Sequence, residues 1–211
     1  MKRSVITLLF TLLAATATYA DTIHYDTTPG SVFNCTNSGS LAGCSTSQVT
    51  VGGTILLTYV PVSTSVDVFL PGTPSSNANF GNIVVSCVDL TNTCDAQSIA
   101  VGDLTFTLQI NQTGPDVLNG TIAAATIFGS IGGSNSAALI QWNNGTFVHL
   151  IGVTFDDTYS IQNTTLGLVA PSTGGTTTIQ GQVIAAAVPE PAVSMLFATG
   201  LLAIGTIRRR K

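Results

Sequence analysis

Between Lys2-Arg3 at one end and Arg208-Arg209-Arg210-Lys211 at the other, the chain contains no lysine and no arginine. Its one glutamate, Glu190, also lies near the C-terminus. Residues 21–187 therefore carry nine aspartates, and their only basic groups are His24 and His149. A fold built from this segment has no Lys or Arg for ion pairs, and it lacks the long charged residues that favour solvent-facing helices. Nucleic-acid binding is excluded too, because neutralising phosphates needs clustered basic side chains. The segment has 26 threonines among many valines and isoleucines, residues that suit a pleated, half-buried surface. At 45% hydrophobic, the chain can build a core, and the segment is long enough for one domain.

Alternation supports β structure directly. Leu104, Phe106, Leu108 and Ile110 point one way, and Thr105, Thr107 and Gln109 the other, which is the period of a strand with one wet face. Gly114-Pro115 and Asn119-Gly120 interrupt the chain before a second strand at 121–128. Further strands are expected at 22–27, 54–60, 66–70, 83–88, 137–142, 147–155 and 176–186. Of these, 147–155 has hydrophobic residues on both faces and is expected to be central. Nine or ten short strands with Gly and Pro turns predict an all-β antiparallel β-sandwich, jelly-roll or immunoglobulin-like. A β-solenoid would need a fixed repeat period, and none is found. Asn144-Gly145 suits a type I′ turn, which predicts a hairpin with Trp142 facing Phe147 and Ile140 facing His149.

The two ends carry a different signal. Lys2-Arg3, an apolar run from Val5 to Ala14 and small residues through Ala20 form a secretory signal peptide over residues 1–20. Cleavage fits after Ala20, and Ala15-Thr16-Ala17 also meets the small-x-small rule. At the other end, Val188-Pro189-Glu190-Pro191 precedes an uncharged stretch, 192–207, and then the basic cluster. A helix of that length covers about 24 Å, short for a hydrocarbon core of about 30 Å, and the flanking arginines can snorkel to extend it. Basic residues stay on the cytoplasmic side, which places residues 21–187 outside the inner membrane.

In that order, Pro189-Glu190-Pro191, a single short transmembrane helix and Arg208-Arg209-Arg210 resemble the PEP-CTERM sorting signal over residues 188–211. The resemblance implies a substrate of exosortase, a membrane-embedded cysteine transpeptidase of Gram-negative bacteria that make exopolysaccharide. It also implies anchoring in the inner membrane facing the periplasm, then release to the cell surface or extracellular matrix. It implies nothing about the activity of residues 21–187, since such tails occur on bodies of many sorts, some ice-binding proteins included.

Candidate chemistry in the Thr/Asn-rich domain, 21–187, is sparse. Four cysteines in an exported chain read as disulfides with three connectivities open, of which Cys35–Cys44 with Cys87–Cys94 is favoured because each pair closes a short polar loop. No C-x-x-C spacing favours zinc. A hydrolase would need His24 or His149 beside a serine and an acid; His149 shares a strand face with Phe147 and Ile151 and reads as packed, and no G-x-S-x-G is present. No enzyme activity and no cofactor are expected. Asp156 and Asp157, with Asp89 or Asp95, are weak calcium candidates in a chain without an EF-hand pattern. Five sequons begin at Asn34, Asn111, Asn119, Asn144 and Asn163. The sequence thus predicts an exported structural protein of the surface or matrix, associated with exopolysaccharide. A carbohydrate- or calcium-binding lectin-like module is the alternative. Ice binding is a thinner one, because Thr105-x-Thr107 and Thr176-x-Thr178 share no period.

Overall fold

The computed structural model describes residues 20–28, 30–34, 41–42, 47–69, 75–88, 94, 98–102, 104–143 and 147–187. Cys35, Cys44, Asp89, Asp95 and Asn144 lie outside them, as do residues 1–19 of the expected signal peptide and the expected sorting signal, 188–211. The described chain is all-β. Its strands are β1 (Ala20–Asp26), β2 (Val32–Asn34), β3 (Leu41–Ala42), β4 (Gln48–Val51), β5 (Ile55–Val60), β6 (Ser63–Phe69), β7 (Ser76–Cys87), β8 (Ile99–Ala100), β9 (Leu104–Gly114), β10 (Leu118–Phe128), β11 (Ser130–Ile131), β12 (Leu139–Trp142), β13 (Phe147–Ile151), β14 (Phe155–Ile161), β15 (Thr165–Gly167) and β16 (Thr176–Ala187). Among the described residues the helical content is one 3-10 turn at Pro171–Thr173, and no helix is long and apolar enough to cross a membrane.

Two curled antiparallel sheets hold nearly all of these strands. The first runs β15-β12-β10-β9-β1-β6, with β2 continuing the β1 edge along β9. The second runs β13-β14-β16-β7-β5-β4-β3, and β8 with β11 forms a small third sheet. The expected alternation in β9 holds: Leu104, Phe106, Leu108 and Ile110 are fully buried, while the residues between them are half-buried. Residues from the two large sheets meet in one core. Tyr25 of the first sheet packs edge-on against Phe80 and Tyr159 of the second, with ring centroids 5.9 and 5.8 Å apart. Tyr59 of the second sheet lies 5.0 Å from Phe106 of the first. Burial pushes the Tyr25 and Tyr59 phenols up to about 12, and each hydroxyl donates to a backbone carbonyl, of Asn79 and Phe80 respectively.

Two local expectations are corrected. Trp142 is buried, but it does not face Phe147 across a hairpin. It ends β12 in the first sheet, where its ring meets Phe106 at 6.2 Å, and Ile140 pairs with Ile127 and Leu166. Phe147 opens β13 in the second sheet and is exposed. The chain changes sheets between them. An Asn-Gly turn with one aromatic pair contributes about 1 kcal/mol, which does not compete with the ladders β12 makes to β10 and β15 and β13 makes to β14. Nor is 147–155 one central strand. It breaks after Ile151, and β13 is the edge strand of its sheet. The break falls at Gly152, whose missing side chain leaves room for the carboxylate of Asp116.

Candidate functional site

The last strand, β16, is central in the second sheet, bonded to β14 on one side and β7 on the other. It ends at Ala187, opposite Phe155 at the start of β14. A carboxylate-held turn closes this end of the fold. Asp116 Oδ2 accepts from the backbone N–H of Thr154 at 2.8 Å and of Phe155 at 3.1 Å. The Gly152 N–H donates to the Phe155 carbonyl at 2.9 Å. Burial pushes the Asp116 carboxyl up, but the hydrogen bonds from Phe155 and Thr154 outweigh it and hold the group below the usual carboxylate range. The N-terminal strand starts at the same end: His24 of β1 lies opposite Gly114, two residues before Asp116, and β1 runs from there back to Ala20. Both termini of the described body therefore leave the fold on one side.

Just inside this end, Asp156 and Asp157 take opposite faces of β14, as adjacent strand residues must. Asp156 is half-buried on the outer face, whereas Asp157 is fully buried in the core. They do not converge on one ion, and among the described residues no group of three metal-ligating side chains occurs. Asp157 Oδ2 accepts from Gln112 Nε2 at 2.6 Å, and Gln112 Oε1 accepts from the Tyr159 hydroxyl at 2.8 Å. Burial pushes the Asp157 carboxyl up to about 6 against the lowering effect of the Gln112 hydrogen bond, and the charges of Asp116 and Asp156 add to the rise. Its Oδ1 is buried without a hydrogen-bond partner. The sequence carried a signal for this cluster. Phe155, Tyr159 and Ile161 share a period that forces Asp157 inward, and one further step along the Leu104–Ile110 face reaches Gln112.

The remaining candidates separate. His24 lines a shallow polar depression with Ser63, Thr64, Ser65 and Thr113 on the first sheet. His149 is exposed on β13 of the second sheet, opposite Thr158, and is not the packed histidine expected from its neighbours. A second depression on the second sheet is lined by Asn77, Asn79, Gln162, Thr178 and Gln180. Cys87 and Cys94 form the expected disulfide, with Cα atoms 5.3 Å apart. Of the sequon asparagines, Asn34, Asn119 and Asn163 are exposed, whereas the Asn111 side chain is held by Asp26 and the Thr28 carbonyl. Thr105 and Thr107 hydrogen-bond Asn34 on the neighbouring β2 and do not form a free array.

Comparison with known proteins bears on the tail. Residues 187–211 match the PEP-CTERM protein-sorting motif. The chain carries a PEP-CTERM sorting signal. Pro189, Glu190, Pro191, Arg208, Arg209 and Arg210 all fall inside the match, which begins at the residue where β16 ends. The motif implies an exported protein of a Gram-negative bacterium with exosortase as its processing partner. No curated protein and no solved structure matches the chain.

Proposed function

We propose that this PEP-CTERM chain is exported through a signal peptide over residues 1–20 and is halted in the inner membrane by a transmembrane helix at 192–207. Exosortase then cuts near Pro189-Glu190-Pro191 and passes the body to the cell surface or extracellular matrix. The observation that carries this reading is the abutment of motif and fold at Ala187. Prolines at 189 and 191 bias the residues before them, 188 and 190, towards extended backbone and stop a helix from propagating back into this segment, which leaves it in the form in which a transpeptidase can reach a scissile carbonyl. A helix would hide it.

The body, 21–187, is read as a β-sandwich in the broad sense of the jelly-roll and immunoglobulin-like folds, and as a structural component with no enzymatic role and no cofactor. Its contact with exopolysaccharide is supported by the depression lined by Asn77, Asn79, Gln162, Thr178 and Gln180. Neutral amides and hydroxyls can exchange hydrogen bonds with sugar hydroxyls, and a body without lysine or arginine has no means of holding a polyanion. Mass spectrometry of the mature protein from its own host and from an exosortase-deficient strain tests the sorting step. The wild-type product should end near Pro189–Pro191, and the deficient strain should retain Arg-Arg-Arg-Lys. A surface protein that keeps those four residues in the wild type overturns the reading.

A further inference from the structure

We infer that the end of the fold bearing Val117, Ile151 and Val153 seats against the phospholipid surface of the membrane while the tail is still attached. Among the described residues these three are the most exposed large hydrophobics, at 83%, 71% and 88%. They are not scattered. Val117 follows Asp116, whose carboxylate holds the backbone of Thr154 and Phe155, so the 116–117 and 152–154 turns are docked on each other. Ile151 lies opposite Asp156, which in turn lies opposite Ala186 on β16. The apolar set thus lies beside the point where β16 leaves the fold, on its β14 side. Isolated exposed hydrophobics are ordinary, but a cluster at one place marks a surface with a partner.

Chain length names that partner. Only residues 188–191 separate Ala187 from the apolar stretch that begins at Ala192, and the five steps from Ala187 to Ala192 span at most about 18 Å when extended. Headgroups take up roughly 6 Å on each side of the hydrocarbon, so this end of the body is confined within about a nanometre of the membrane. The first strand starts at the same end, so a signal peptide not yet removed would hold it there too. The contact has to be apolar, because the body offers no lysine or arginine to an anionic headgroup. Side chains inserted into the headgroup layer fix the orientation of the body, so that Pro189-Glu190-Pro191 is presented at a constant height above the bilayer.

This inference rests on the proposed membrane insertion of 192–207, and its test separates the two. The full chain is reconstituted into phosphatidylethanolamine/phosphatidylglycerol vesicles with brominated acyl chains, as Val153→Trp, Val117→Trp and Val88→Trp variants. Val88 is the control: it is half exposed and follows Cys87, at the opposite end of β7 from the strand start that pairs with β16 near its exit. Trp142 is buried and common to all three. The inference expects vesicle flotation with every variant, and blue-shifted, bromine-quenched emission for Val153→Trp and Val117→Trp but not for Val88→Trp. Flotation with unquenched emission at both 153 and 117 overturns the lipid contact and leaves the tail's insertion standing. Failure to float overturns the insertion, and the contact with it.

Discussion

Gln112 of the first sheet and Asp157 of the second are joined across the core by a 2.6 Å hydrogen bond, with the Tyr159 hydroxyl completing the Gln112 amide. Burial outweighs the lowering effects of the Gln112 hydrogen bond and of His149, and the second carboxylate oxygen has no hydrogen-bond partner. Its folded-state value of about 6 lies above the usual 3.8, so between those pH values the folded protein binds a proton that the unfolded chain lacks. Stability from this group is fully present below pH ~4 and is lost as pH rises through about 6, an effect on the order of 3 kcal/mol. Asp157→Asn should flatten the melting temperature between pH 4 and 7. A variant with the wild-type slope would place the titration elsewhere.

Asp116 has the opposite sign. Its carboxyl is held below the ordinary range, so the stability it contributes is present above about pH 4 and disappears as pH falls through its folded value. Asp116→Ala should cost about 1–2 kcal/mol at pH 7, a figure reduced for solvent screening, and should loosen the 152–154 turn. Amide exchange at Thr154 and Phe155 checks this, since both amides donate to the carboxylate. Unchanged protection there would dismiss the proposed role.

Gly181 lies in β16 where a β-carbon would overlap the Phe80 ring and the Ser160 carbonyl. The ring could shift, but the carbonyl belongs to the neighbouring strand of the sheet. Gly181→Ala is expected to destabilise by about 3 kcal/mol, the upper range for overpacking. Chemical denaturation reads the loss. Substituting Gly53, where a β-carbon meets nothing within 4 Å but φ is +76°, should cost only about 1 kcal/mol from backbone strain.

The Cys87–Cys94 disulfide closes a short loop next to β7. Loop-closure entropy for a ring of this size gives about 2.5 kcal/mol. The Cys87→Ser/Cys94→Ser double variant should therefore unfold at a lower urea concentration with a nearly unchanged slope. An equal midpoint would show that the crosslink contributes nothing to equilibrium stability.

Much of this was legible in the linear chain. The absence of Lys, Arg and Glu over 21–187, together with the Leu104–Ile110 alternation, points to strands, because side-chain period and composition are local properties. The sorting signal was equally readable, since Pro189-Glu190-Pro191, an uncharged stretch and an arginine cluster act as an address whatever precedes them. Strand partners were not readable. Trp142 and Phe147 are five positions apart yet belong to different sheets, because pairing is settled by which ladders and faces the whole chain can satisfy at once. The inward turn of Asp157 lay implicit in the period of Phe155, Tyr159 and Ile161, but its partner Gln112 is 45 residues away and only packing brought them together. Likewise, the sequence placed Ile151 and Val153 in a run expected to be a central strand, and nothing in it linked Val117 to them. The tertiary structure left them exposed and gathered them beside Ala187, because a hydrogen-bonded carboxylate on a distant turn fixed where β13 ends and β14 begins.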